Sequence, residues 1–430
     1  MLDSRLGPTH GSEVASARNV NVKQRVSERE RQGTSERPPA ADIKCASGSS
    51  LLRGSSFIRA PQRTSIFFGN AKCYDFLPES PSQALPGCRL GTGRCELRIK
   101  EAMSSLRSSP APTKVFRGHA YDVMSLAFIG DAHLASGDVK GNLRLWNISE
   151  LETTSQKLTH GGESILGLRS CGGITSGGIL SHGRDGRILE WEYGKSGELT
   201  ELGEVCTGLA EGFCKFDVYS TEGKTRFSYL AAAESERSTS IGIYAGSGDQ
   251  VASLTQREKS WGMCTALQFH DEYNLVSGHE DGRLRLWDLR AGSAVAEESI
   301  SDEPIFALAR HPVDGTFVCG GASSDVVSFK IASNEFSRLQ AAILRNPGVS
   351  QMCFRSDGRI LVVACWDGGV RVFGTKSGKD GQLRALASLR YHEAMVHCCA
   401  AHGVGGLFAS SGDDRRIALW DVYAGKMSNV

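Results

Sequence analysis

The chain has 430 residues, 40% of them hydrophobic and 23% charged, with a formal net charge of +1. The balance hides an asymmetry: residues 1–102 hold 16 Lys+Arg against 10 Asp+Glu and the remainder 33 against 38, so the leader carries +6 and the body −5. A mildly acidic body offers no general phosphate-binding field, and no run approaches the roughly 18 apolar residues of a membrane span, so neither nucleic acid nor a membrane is expected as a partner.

The 13 cysteines include no Cys-x-x-Cys pair and no His at zinc-ligand spacing. Most lie in strand-like runs, among them Cys264, Cys319, Cys353 and Cys398, and read as buried free thiols of a reducing compartment, cytosol or nucleus. No metal and no cofactor are expected.

Residues 1 to about 102 are rich in Ser, Arg, Gly and Pro, with SERERQGTSERPPA as the extreme, and keep neither a period of 2 nor one of 3.6. The chain therefore divides into a disordered, low-complexity extension, 1–112, and a folded body, 113–430. Its Arg content suits a transit peptide, but Glu28, Glu30 and Glu36 argue against one. A second reading begins the functional chain at Met103, with SSLRSSPAPTK as a polar lead-in to the first strand.

The body repeats one unit. Lys114-Val115-Phe116 leads to Gly118-His119, and then LASGDVKGNLRLW ends at Trp146, LSHGRDGRILEW at Trp191 and a weakly marked run at Tyr244. LVSGHEDGRLRLW follows, ending at Trp287, then CGGASSDVVSF at Phe329, VVACWDGGVRVF at Phe373 and ASSGDDRRIALW at Trp420. The clearest copy is the fourth, where Leu284, Leu286 and Leu289 alternate with Arg283, Arg285 and Arg290 after an Asp281-Gly282 turn, the pattern of a β-hairpin with one buried face. A lone hairpin is not stable in water, so the copies must pack on one another.

The gaps between these aromatic positions are 45, 53, 43, 42, 44 and 47 residues, close to the WD-repeat period of about 40–45. With Gly118-His119 opening the series, and Trp287-Asp288 and Trp420-Asp421 closing units, the chain resembles the WD-repeat family. The resemblance implies an all-β fold, a seven-bladed β-propeller. The 53-residue gap implies an insertion in the third blade. The last unit runs out before its outer strand, and the segment around Phe116 is expected to supply it, so that no sheet edge stays open.

In well-marked WD repeats a His before the blade, a Ser or Thr, a turn Asp and the Trp form a buried hydrogen-bonded network. The matching sets are His160, Ser181, Asp185 and Trp191 in the second blade and His392, Ser410, Asp414 and Trp420 in the last. The fourth keeps Ser277, Asp281 and Trp287 without a Gly-His, and the first has His119, Ser136 and Trp146 but Lys140 at the turn. The third and fifth blades keep almost nothing. These His/Ser/Asp sets belong to the repeat, and no Gly-rich run is followed by Lys-Ser/Thr, so no catalytic constellation is identified and a binding scaffold is expected.

The segments FRGHAYDVMSLAF, LSHGRDGRILEW, NPGVSQMCFRSDGRILVVACWDGGVRVF and YHEAMVHC…SSGDDRRIALWDVY resemble the ASTRA-associated protein family, over about residues 103–430. That resemblance implies a nuclear, chromatin-linked subunit of a multiprotein assembly that works with chaperone adaptors on PI3-kinase-related kinases. The alternative is a substrate receptor of a cullin-RING ubiquitin ligase, because Trp287-Asp288-Leu289-Arg290 matches the Trp-Asp-x-Arg box such receptors carry. A true G-protein β subunit needs an N-terminal heptad helix, which the Ser/Pro-rich lead-in does not supply.

Two tryptophans, Trp261 and Trp366, lie off the repeat positions. Trp261 falls in the segment leading into the fourth blade, and Trp366 just before the turn residue Asp367 of the sixth, on loops expected to share one face. They are candidate anchors for a protein partner, with packing between blades as the alternative.

Overall fold

The computed structural model describes residues 109–422 apart from 172–176, 195–196, 222–225, 235–239, 256–260, 376–382 and 404–405. The extension read as disordered lies outside the described residues as far as residue 108, and so does Met103.

The described residues form seven four-stranded antiparallel sheets. Blade 1 consists of Val123–Ile129, His133–Asp138, Asn142–Asn147 and Thr153–Leu158, running from the inside of the ring outward. Blades 2 to 6 occupy residues 165–206, 217–254, 264–299, 305–343 and 349–390 in the same order. Among the described residues no helix is long and apolar enough to cross a membrane.

Blade 7 departs from this order. Its inner three strands are Val396–Ala401, Leu407–Gly412 and Arg416–Asp421, and its outer strand is Lys114–Arg117, from the other end of the body. The closing register pairs Lys114 with Leu419, Val115 with Ala418, Phe116 with Ile417 and Arg117 with Arg416. Phe116 is fully buried, and its ring lies 5.5 Å from that of Trp146, so the closing strand grips blade 1 as well as blade 7.

The aromatic positions read from the sequence all occupy the third strand of a blade. Trp146 pairs with Leu134, Trp191 with Ile179, Tyr244 with Leu230, Trp287 with Leu275, Phe329 with Phe317, Phe373 with Leu361 and Trp420 with Phe408. The turn before Trp287 is longer than a two-residue hairpin. Asn274–His279 and Arg283–Asp288 are joined by residues 280–282, with Gly282 at φ 73° and its N–H donating to the His279 carbonyl. The third blade absorbs its long spacing on either side of a short inner strand, Asp217–Tyr219, in residues 207–216 and 220–228.

There is no single central core. The buried apolar side chains gather in wedges between neighbouring blades: Trp146 packs with blade 7, Trp191 with blade 1, Trp287 with blade 3 and Trp420 with blade 6. Phe329 and Phe373 likewise face blades 4 and 5. Each third-strand aromatic thus buries itself against the preceding blade, and no blade can complete its core alone.

Removing the closing strand opens the wedge that holds Phe116 and leaves the Arg416–Asp421 edge unpaired. Deleting residues 1–117 should therefore lower the melting temperature, while deleting residues 1–108 should not. Equal melting temperatures in differential scanning calorimetry would contradict this.

Candidate functional site

In blade 2 the Trp191 indole N–H donates to Ser181 Oγ at 2.9 Å, Ser181 Oγ lies 2.8 Å from His160 Nε2, and His160 Nδ1 lies 2.9 Å from Asp185 Oδ1. A carboxylate only accepts, so His160 Nδ1 donates to it and Nε2 takes the Ser181 proton. One unbroken chain runs from Trp through Ser and His to Asp. Blade 7 repeats it with Trp420, Ser410, His392 and Asp414 at 2.9, 2.8 and 2.9 Å.

Blade 1 also holds a full network, which corrects the expectation that Lys140 leaves it without an acid. Asp138, closing the strand His133–Asp138, accepts from His119 Nδ1 at 3.0 Å, with His119 Nε2 2.6 Å from Ser136 Oγ and Trp146 donating to Ser136 at 2.7 Å. The Lys140 side chain has no part in it; only its backbone N–H donates to Asp138, as does that of Asn142. The legible signal was an Asp ending an otherwise small, apolar strand.

Blade 4 assembles its set differently from the sequence reading. Trp287 donates to Ser277 at 2.8 Å, but the imidazole beside Ser277 is His279, two residues along the same strand, with Nε2 at 2.7 Å. Asp281 is not in this chain: Arg285, a fully buried guanidinium, donates to both its carboxylate oxygens at 3.2 and 2.6 Å and to Glu297 at 2.9 Å. Blade 6 uses the same device, with Arg371 forked onto Asp367. Both follow an Asp-x-x-x-Arg spacing that ends two residues before the aromatic, a bidentate geometry that fixes the turn as firmly as a His does.

The His–Ser–Asp distances equal those of a hydrolytic triad, yet the chemistry is closed off. Ser136, Ser181 and Ser410 are 0% exposed, and each oxygen already accepts an indole N–H, so none can meet a substrate carbonyl. Burial pushes the Asp138, Asp185 and Asp414 carboxyls up, but their hydrogen bonds and charge pairing with the histidines outweigh it and hold them below the usual range. Among the described residues no three His, Cys, Asp or Glu side chains converge as metal ligands do.

Trp261 and Trp366 are both half-buried and both engaged within the propeller. The Arg285 guanidinium lies 4.0 Å from the centre of the Trp261 ring, which also packs edge-on against His279 and Trp287 at 6.4 and 6.1 Å. Trp261 thus fills the place that a His from the leading loop takes in blades 1, 2 and 7. Trp366 covers Gly348, whose φ is +103° and where a Cβ would lie 2.3 Å from the ring, and it stands 6.0 Å from Phe306. This contact puts the loops leading into the blades and the turns between second and third strands on one face. On that face sequence reasoning missed Tyr121, 45% exposed, and Phe213, 46% exposed beneath the Arg184 guanidinium.

Two outcomes follow. Asp138→Ala should destabilise by roughly 1.5–3 kcal/mol, as should Asp185→Ala and Asp414→Ala, whereas Lys140→Ala should stay within about 0.5 kcal/mol. Urea midpoints would show it, and a larger loss for Lys140→Ala would contradict the network. The second outcome concerns pH. Burial holds His182 down to about 4 and, with the Arg285 charge, His279 down to about 3. The unfolded chain takes up these protons near 6.5 and the folded chain does not, so stability falls as pH drops from about 6.5 toward 4. The tetrad carboxylates add their loss only below about pH 4, where the unfolded carboxyls protonate first. His182→Leu should flatten the upper part of the stability profile, and an unchanged slope would contradict this assignment.

The WD domain, G-beta repeat model matches residues 110–147, 248–288, 340–374 and 383–421. The first match includes the closing strand, and blade 2, with its complete tetrad, lies outside all four. ASTRA-associated protein 1 of Schizosaccharomyces japonicus is 26% identical over 377 residues, covering 73% of this chain and 99% of the relative. Guanine nucleotide-binding protein subunit beta-like protein 1 of Mus musculus is 26% identical over 329 residues, covering 73% and 97%. ASTRA-associated protein 1 of Verticillium alfalfae is 26% identical over 363 residues, covering 75% and 87%. The chain is a seven-bladed WD-repeat β-propeller similar to ASTRA-associated protein 1 and to the subunit beta-like protein 1.

Proposed function

We propose that this propeller is a non-catalytic nuclear subunit of an ASTRA-type, chromatin-linked assembly that works with chaperone adaptors in the maturation of PI3-kinase-related kinases. The observation that carries the reading is the extent of the likeness to ASTRA-associated protein 1, 73% of this chain against 99% of the relative, rather than a match to isolated repeats. The Ser hydroxyls sealed inside the tetrads support a scaffold over a hydrolase. Tyr121 and Phe213, with the half-buried Trp366 on the same face, supply the docking face, because exposed aromatics bury large area at low entropic cost.

A second reading, the ubiquitin-ligase receptor, is favoured by one feature of the Trp287-Asp288-Leu289-Arg290 box. The Arg290 side chain is 67% exposed and lies over the Tyr273 ring, 4.8 Å from its centre, so it is presented to solvent while Trp287 is buried.

Affinity purification of the tagged full chain separates the two. Kinase-maturation and ASTRA-type subunits are expected, with Tyr121→Ala and Phe213→Ala reducing their recovery at an unchanged melting temperature. Trp261→Ala serves as the packing control and should instead cost roughly 2–4 kcal/mol of stability. Recovery of a cullin adaptor that is lost in Arg290→Ala would replace the first reading with the second.

A further inference from the structure

The innermost strands enclose a channel cavity of about 330 Å³ whose lining includes Arg169, Lys215, Asp217, Arg310, Ser350 and Gln351. Its charges do not balance: three side chains are basic and one is acidic, in a body whose overall charge is −5. Asp217 is already committed, accepting from Arg169 Nε at 3.5 Å, Gln268 Nε2 at 2.8 Å and the backbone N–H of Phe269 at 2.9 Å.

Lys215 is left over. It precedes the inner strand of blade 3 and reaches across the channel to donate to Gln351 Oε1, on the inner strand of blade 6, at 2.8 Å. That is a neutral acceptor, and among the described residues no carboxylate stands within ion-pair distance of the amine. Lys215 is half-buried in the channel wall, and burial, with the nearby Arg169 charge, holds its pKa down. The Ser350 hydroxyl, on the same lining, is buried and has no hydrogen-bond partner.

A partly desolvated cation without a counter-charge and a buried hydroxyl without a partner are each costly, and both belong to the lining of this one cavity. We propose that the channel binds a small oxyanion of the carboxylate or phosphate class, paired to the Lys215 ammonium, hydrogen-bonded by Ser350 and drawn in by Arg169. Low-dielectric walls around this net positive lining concentrate its field on the cavity and strengthen the attraction beyond that of a surface lysine. The site is independent of the docking face and of any partner.

The test is thermal unfolding of the full-length chain titrated with inorganic phosphate and, separately, citrate into the millimolar range, at constant ionic strength so that screening does not vary. Either anion should raise the melting temperature by a few degrees with saturation, and whichever does so identifies the class. Lys215→Met should abolish the response while unfolding no lower than the parent without ligand, since it removes an unpaired charge. Lys157→Met, at a surface lysine paired with Glu198, should keep the response. Ser350→Ala should weaken the apparent affinity about tenfold or less but measurably, and it decides the matter if Lys215→Met does not fold. Absence of a saturable rise with both anions, an undiminished response in Lys215→Met, or an unchanged affinity in Ser350→Ala would each overturn the proposal.

Discussion

Everything in this molecule depends on each blade burying its third-strand aromatic against the blade before it. A four-stranded sheet with one such residue has an apolar face and nothing of its own to cover it. Trp420 needs blade 6, Trp287 needs blade 3, and Trp146 needs blade 7, whose outer strand comes from residues 114–117. The requirement is circular, so it is met only by closing the ring. Phe116, which packs against Trp146 from within blade 7, is where closure and core become the same interaction.

Within that frame the polar networks are interchangeable in parts and constant in purpose. Each holds the turn between second and third strands, where backbone groups leave the ladder, and each does so by supplying a buried or half-buried carboxylate with donors. Blades 1, 2 and 7 use a histidine, and blades 4 and 6 use an arginine four residues beyond the acid. The Arg285 fork leaves the leading-loop site of blade 4 free for Trp261, which stacks on the guanidinium. Substituting an ion pair for a histidine chain also moves the pH sensitivity: blade 4 depends on a neutral His279, kept so by burial beside Arg285.

The fold was legible because its signals are local. The aromatic period marks every blade, even where the tetrad is absent, since packing against a neighbour constrains the aromatic more than the network does. A turn glycine adds to it in blades 1, 2, 4 and 6, at Gly141, Gly186, Gly282 and Gly368. Partner assignments inside the tetrads were less legible because they are set by register. Asp138 stands two residues before the usual turn position and still reaches His119, and His279 replaces a histidine that sequence reasoning sought in the preceding loop. Trp261 and Trp366 were found as exceptions to the repeat, but an exception in sequence does not say which way a ring faces. The channel charges were invisible for the same reason, as Lys215 and Gln351 are 136 residues apart and meet only when the ring closes.

If closure is the governing constraint, the wedges unfold together. Native-state hydrogen exchange followed by mass spectrometry tests this most directly. Amides of Arg416–Asp421, in the blade completed by the closing strand, should exchange with the same opening free energy as those of Arg283–Asp288 on the far side of the ring. Blade 7 exchanging through a separate, lower-energy opening while blade 4 stays protected would show that the ring is not one cooperative unit and would contradict the account.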